Sequence, residues 1–215
     1  MARAQATATS LDALCAQELL VATFRPGQSP AGHHWTVQDA SGTVLARTKR
    51  VHSGGRLART AWKAVTLTGL DAGNDIFVEL LGAGDVKLAR LESIAAQPAI
   101  VTATGESGAP VGRSVKDGAT MRLDGGAVME AEGDGPWAVT ASGGAHLGEL
   151  LAGEPGPSTS ASWLDILVPV APTNSGDFAR TMHLGLRRVM RYAFKPEGRP
   201  TPELALLPLL AGLTY

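Results

Sequence analysis

The chain has 215 residues, a formal net charge of −1 and 44% hydrophobic side chains. That length suits one large domain or two small ones, with enough apolar surface for a substantial core. The near-neutral balance offers no global attraction for nucleic acid. The lone cysteine, Cys15, excludes an internal disulfide and reads as a small buried apolar side chain.

Residues 1–17 read as a flexible or short helical N-terminus: Met1 to Ser10 lacks the apolar core of a secretory signal, and 10–16 can form one turn of helix. Residues 18–25 (ELLVATFR) read as a first strand, stopped by Pro26-Gly27. The segments 34–38 and 43–47 flank the turn Asp39-Ala40-Ser41-Gly42 and form the clearest hairpin. Residues 50–60 are ambiguous because of Gly54-Gly55, and 62–67 resume an extended pattern. Further hairpins follow, turning at Gly82-Ala83-Gly84-Asp85, Gly105-Glu106-Ser107-Gly108, Asp124-Gly125-Gly126 and Ser142-Gly143-Gly144. Residues 163–169 read as a last, strongly apolar strand. The period then changes. Phe178, Met182, Leu186, Val189, Met190, Ala193 and Phe194 recur every three or four residues and predict a helix over 177–194, with Arg180, Arg187, Arg188 and Arg191 on its other side. The tail, 196–215, is apolar.

Strands first, then one helix, then a tail imply a mainly β domain over 18–195. It closes as an antiparallel barrel of about twelve strands, too wide for its own side chains to fill, with the 177–194 helix at its end or centre.

The run Val37-Gln38-Asp39-Ala40-Ser41-Gly42-Thr43-Val44-Leu45 resembles the recurring element of the scramblase and LURP-one-related proteins, which share the tubby-like fold. There a strand ends in Asp, Gly follows in the turn and an aliphatic residue opens the return strand. Val101 to Gly112 is a looser repeat. Leu123-Asp124-Gly125-Gly126 is similar to the later ones, as is Trp137-Ala138-Val139 with Gly144-Ala145-His146-Leu147-Gly148. The resemblance covers roughly 18–194. It implies a tubby-like barrel around a central C-terminal helix, action by binding rather than catalysis, and anionic phospholipid or a membrane surface as the ligand class. Calcium dependence does not carry over, since Asp71-Ala72-Gly73-Asn74-Asp75 lacks the alternating ligands of a calcium loop.

Catalytic signatures are missing from the sequence. Gly105-Glu106-Ser107-Gly108 has the wrong spacing for a hydrolase elbow, and no phosphate-binding loop occurs. His33 and His34 would point to opposite faces of a strand, and His52, His146 and His183 are isolated, so no metal site is expected. Glu130 and Glu132 read as a solvated pair. No cofactor is expected. The charge feature with functional weight is Arg47, Lys49, Arg50, Arg56, Arg59 and Lys63, beside Trp62, in a stretch with no acid between Ala40 and Leu70. Such a segment is either a solvated hairpin rim or a contact for anionic headgroups. The expected protein is therefore a non-enzymatic binding protein, cytoplasmic or peripheral at a membrane. The alternative is an assembly protein that uses its loops and the apolar tail Leu204–Leu213 to hold a protein partner.

Overall fold

The computed structural model describes residues 5–24, 35–51, 76–94, 98–131, 136–155, 167–169 and 190–214. Its strands are β1 (Leu20–Phe24), β2 (Trp35–Gln38), β3 (Val44–Arg50), β4 (Ile76–Leu81), β5 (Lys87–Ile94), β6 (Ala99–Gly105) and β7 (Pro110–Asp117). They continue as β8 (Thr120–Leu123), β9 (Ala127–Glu130), β10 (Trp137–Ala141), β11 (His146–Pro155), β12 (Leu167–Pro169) and β13 (Met190–Pro196). Short helices are α1 (Leu11–Cys15), α2 (Pro202–Ala205) and α3 (Leu207–Thr214).

From β1 to β11 each strand pairs antiparallel with the next, and β13 bridges β11 and β1. Twelve strands, β1 through β11 with β13, thus close a barrel, and β12 adds to the far end of β11. Closure leaves the ring without free edges, as the meander pattern implies.

The two ends of the barrel differ. At the lower end, four turns share one construction. Asp39 N–H donates to the Thr43 carbonyl and Gly42 N–H to the Asp39 carbonyl, and the same pair of bonds recurs at Gly82–Val86, Gly105–Ala109 and Ala141–Ala145. A left-handed residue closes each turn: Gly42, Asp85, Gly108 or Gly144. The register slips by one residue just inside each, at Val37/Gln38, Leu80/Leu81, Ala103/Thr104 and Val139/Thr140. This is a tight turn followed by a glycine-type bulge, which adds twist and helps the sheet curl shut. At the upper end, the β7–β8 connection is a tight turn. The strand ends joined by 25–34, 52–75, 95–98, 131–136, 156–166 and 170–189 also lie there.

The filling of the barrel corrects one expectation. Met190, Ala193 and Phe194, assigned above to a central helix, lie in β13, where Phe194 pairs with Leu20 and Leu150 and Tyr192 with Ala22 and Ala152. The physical reason is that Met190-Arg191-Tyr192-Ala193-Phe194-Lys195 also alternates, and β1 and β11 need this strand to complete their ladders. The remainder of the expected helix, 177–189, lies outside the described residues. The filling is instead the tail. Leu204, Leu206, Leu207, Leu209, Leu210 and Leu213 are buried in one cluster with Leu20, Ala22, Trp35, Val78, Leu80, Leu91, Val101, Met121, Met129, Leu150 and Phe194. A segment apolar on every side belongs in a core, and each buried leucine contributes about 1.5–3 kcal/mol.

The lower end is closed by the N-terminal segment. Thr7 and Ala8 N–H donate to the Val44 and Leu45 carbonyls, and the Ala8 carbonyl accepts from Ala83 N–H. α1 inserts Leu14 and Cys15 into the core and packs against α2. A second cluster, Leu19, Val21, Leu151 and Ala193, is buried on the opposite face of the β1–β13–β11 region, so β1 is buried on both faces.

Candidate interaction surface

The barrel interior is built around three fixed points on α2 and α3. Glu203, in the first turn of α2, is only 6% exposed. Its carboxylate accepts from Arg113 N–H (3.1 Å, Oε1) and Gly125 N–H (2.9 Å, Oε2). A Cβ at Gly112 or Gly125 would overlap that carboxylate, so both glycines make room for it. At the other end Ser93 Oγ donates to the Leu213 carbonyl (3.0 Å). Between them Gly212 lies flat against the Trp35 indole, which also packs on Phe24 and Tyr192 with centroid separations of 5.3 and 5.9 Å. Helix and side chains occupy the interior, which leaves the outside of the barrel and its ends for ligand contacts.

The expected basic segment is partly placed. Arg47, Lys49 and Arg50 lie on β3, whereas Arg56, Arg59, Trp62 and Lys63 lie outside the described residues. Arg47 forms an ion pair with Asp85 in the β4–β5 turn (3.1 Å). Lys49 stands opposite Glu79 on β4, and Glu79 stands opposite Arg90 on β5. The Arg90 guanidinium lies 5.5 Å from the Phe77 ring centre. Exposed pairs of this kind contribute at most about 1 kcal/mol each. Their larger effect is on the field: Asp85 offsets Arg47, and Glu79, shared with Arg90, partly offsets Lys49. The sequence run hides this offset because Asp85, in the β4–β5 turn, and Glu79, on β4, are both remote in sequence.

The tail expected to hold a protein partner, Leu204–Leu213, is inside the barrel, so a partner would reach it only if α3 left the core. His146 is exposed with its Nδ1 2.6 Å from Glu197 Oε2, tying the start of β11 to the segment after β13. His33, His34, His52, His183 and Glu132 lie outside the described residues, and Glu130 is exposed. Among the described residues no group of three or more His, Cys, Asp and Glu side chains is placed to hold a metal ion. No described helix is long and apolar enough to cross a membrane. Burial pushes the Cys15 thiol up, reinforced by Asp12 and opposed by Arg199 and a backbone hydrogen bond. Burial also lowers the Lys116 ammonium to about 8.

Two polar groups were not singled out by the sequence reading. Glu203 is one acid ahead of an apolar run, and its partners are backbone amides 78 and 90 residues away. Lys116 belongs to no motif, and the alternation Gly112, Ser114, Lys116 against Arg113, Val115, Asp117 is the available signal for an inward lysine. No protein-family model, curated protein or solved structure matches this chain.

Proposed function

We propose that this is a non-enzymatic binding protein that docks on anionic phospholipid through the upper end of its barrel. The observation that carries the reading is the occupied interior: the chain's own α2 and α3 fill the space a small-ligand carrier would use. A closed barrel of twelve antiparallel strands around a C-terminal helix is also the arrangement expected of the scramblase and LURP-one-related proteins, which supports a tubby-like assignment. The strands joined by the chain segment carrying Arg56, Arg59, Trp62 and Lys63 are β3 and β4, and the ends it joins lie at the upper end. With Arg47 and Lys49 offset by acids, this reading assigns the attraction chiefly to Arg56, Arg59 and Lys63, with Trp62 as the interfacial aromatic.

Each cation near an anionic membrane contributes about 1 kcal/mol. Three therefore give about 3 kcal/mol, roughly a hundredfold in partitioning, which weakens as salt shortens the Debye length. Co-sedimentation with phosphatidylserine-containing vesicles should exceed that with phosphatidylcholine vesicles. Replacing Arg56, Arg59 and Lys63 together by Gln should abolish the difference. Equal recovery on both vesicle types for the unmodified chain would sink the reading.

A further inference from the structure

One stretch of the barrel's outer wall is buried. Val21, Ala193 and Leu151 stand side by side in one register row across β1, β13 and β11. Leu19, just before β1, and Thr23 flank that row on the same face, and all five residues are buried. Among the described residues their apolar cluster holds Leu19, Val21, Leu151 and Ala193 alone, whereas α1, α2 and α3 all contribute to the interior cluster. Outward residues elsewhere on the barrel, such as Arg113 on β7 and Ala138 on β10, are exposed.

We propose that this wall is a docking surface for the chain's own residues 177–189, held by their apolar stripe. Topology supplies the first argument. β12 and β13 both run antiparallel to β11 and so parallel to each other, with Gly153 facing Pro169 on one edge and Arg191 on the other. Parallel strands on the two edges of a third are joined by a crossover that passes over one face of the sheet. β12 has no room to continue along its edge, because β10 takes that edge from Leu150, opposite Trp137. The inner face is filled, since Ala22, Leu150 and Phe194 are buried with the tail leucines. The outer face is left. Size supplies the second argument. Phe178, Met182, Leu186 and Val189 share one side at helical spacing. A helix over 177–189 is about 20 Å long and about 10 Å across. Three strands about 4.8 Å apart make a wall about 10 Å wide, and Leu19 to Thr23 spans about 13 Å along it. The small Ala193 between Val21 and Leu151 forms a trough at its centre. The surface is independent of the lipid-docking reading, since no residue assigned to the anionic contact takes part.

The test uses the full chain and hydrogen–deuterium exchange read by peptide mass spectrometry. Peptides within 177–189 should exchange about tenfold or more slowly in the native chain than in urea. Ala193→Arg puts a charge in the trough and should remove that protection while peptides of α3 keep theirs. Leu186→Asp approaches the contact from the other side. Combined with Leu151→Cys, it should speed maleimide labelling at position 151 about tenfold or more. Exchange of 177–189 as fast as in urea, or protection that survives Ala193→Arg, would overturn the proposal. Should Ala193→Arg also strip α3 of protection, the labelling decides, and a rate unchanged by Leu186→Asp would overturn it. Shielding of position 151 that fades on dilution would assign the wall to a second copy and overturn it too.

Discussion

Glu203 is the residue whose replacement most directly tests how the filling is held. Its carboxylate is buried and accepts from the backbone N–H groups of Arg113 and Gly125. Hydrogen bonds to a charged group contribute about 1.5–3 kcal/mol each, and a buried amide left unsatisfied costs about 1–3 kcal/mol. Desolvating the carboxylate offsets part of that gain. Glu203→Ala should therefore cost about 2–4 kcal/mol net, a large share of the roughly 5–15 kcal/mol typical of a folded domain. Glu203→Gln should cost less than Glu203→Ala: its carbonyl still accepts one N–H, while its amide presents a donor to the other.

A double-mutant cycle separates this lock from generic core loss. At Gly125 a methyl group would overlap the Glu203 carboxylate, so Gly125→Ala alone should displace it and cost a similar amount. Once Glu203 is Ala the obstacle is gone, and Gly125→Ala should cost little more. The expected coupling is about 2 kcal/mol, within the range for residues in contact. Urea unfolding followed by tryptophan fluorescence would read it, because Trp35 packs directly on the helical filling. Additive single-mutant effects, or a Glu203→Ala midpoint equal to that of the unmodified chain, would refute the lock.

Three further outcomes follow from the same geometry. Gly212→Ala adds helix propensity worth under about 1 kcal/mol, but its methyl would overlap three carbons of the Trp35 ring. Overpacking costs about 1–3 kcal/mol, so thermal melting should show a net loss, and a stabilised variant would contradict the close approach. For Lys116 the folded value, about 8, lies below the unfolded one near 10.4, so the unfolded chain binds more protons between them. Stability should accordingly rise with pH across that window, with the penalty fully present below it. Lys116→Met should remove that slope in urea titrations at pH 7 to 10. Cys15, buried and with its thiol raised, should resist a maleimide in the native barrel and react at the rate of global opening as urea is added; fast native labelling would show that α1 detaches on its own.

The strands were legible because turn chemistry is local. Asp39 accepts from the Ser41 and Thr43 amides within its own turn, and Gly42 supplies the left-handed conformation there, so five residues announce the hairpin without help from the rest of the chain. The filling was not legible in the same way. Met190, Ala193 and Phe194 satisfy helical spacing and strand alternation together, and the choice between them is made by β1 and β11, strands far away in sequence whose ladders need a partner. Pro208 lies within the apolar tail and stands in the first turn of α3, where a missing N–H costs nothing.

The candidate surface shows the same limit in electrostatics. Along the chain Arg47 and Lys49 belong to an unbroken basic stretch. In the fold, Arg47 meets Asp85, 38 residues on, and Lys49 faces Glu79. Residues on adjacent strands lie about 4.5–5.5 Å apart, closer than second neighbours along one strand, so the ladder rather than the run determines the local field. A basic stretch therefore predicts an anion site only for those of its members that the fold does not set beside an acid. On β3 that condition fails for Arg47 and Lys49, which is why the proposed docking rests on Arg56, Arg59 and Lys63, and why charge reversal at Asp85 or Glu79 should strengthen vesicle binding if β3 shares in the contact.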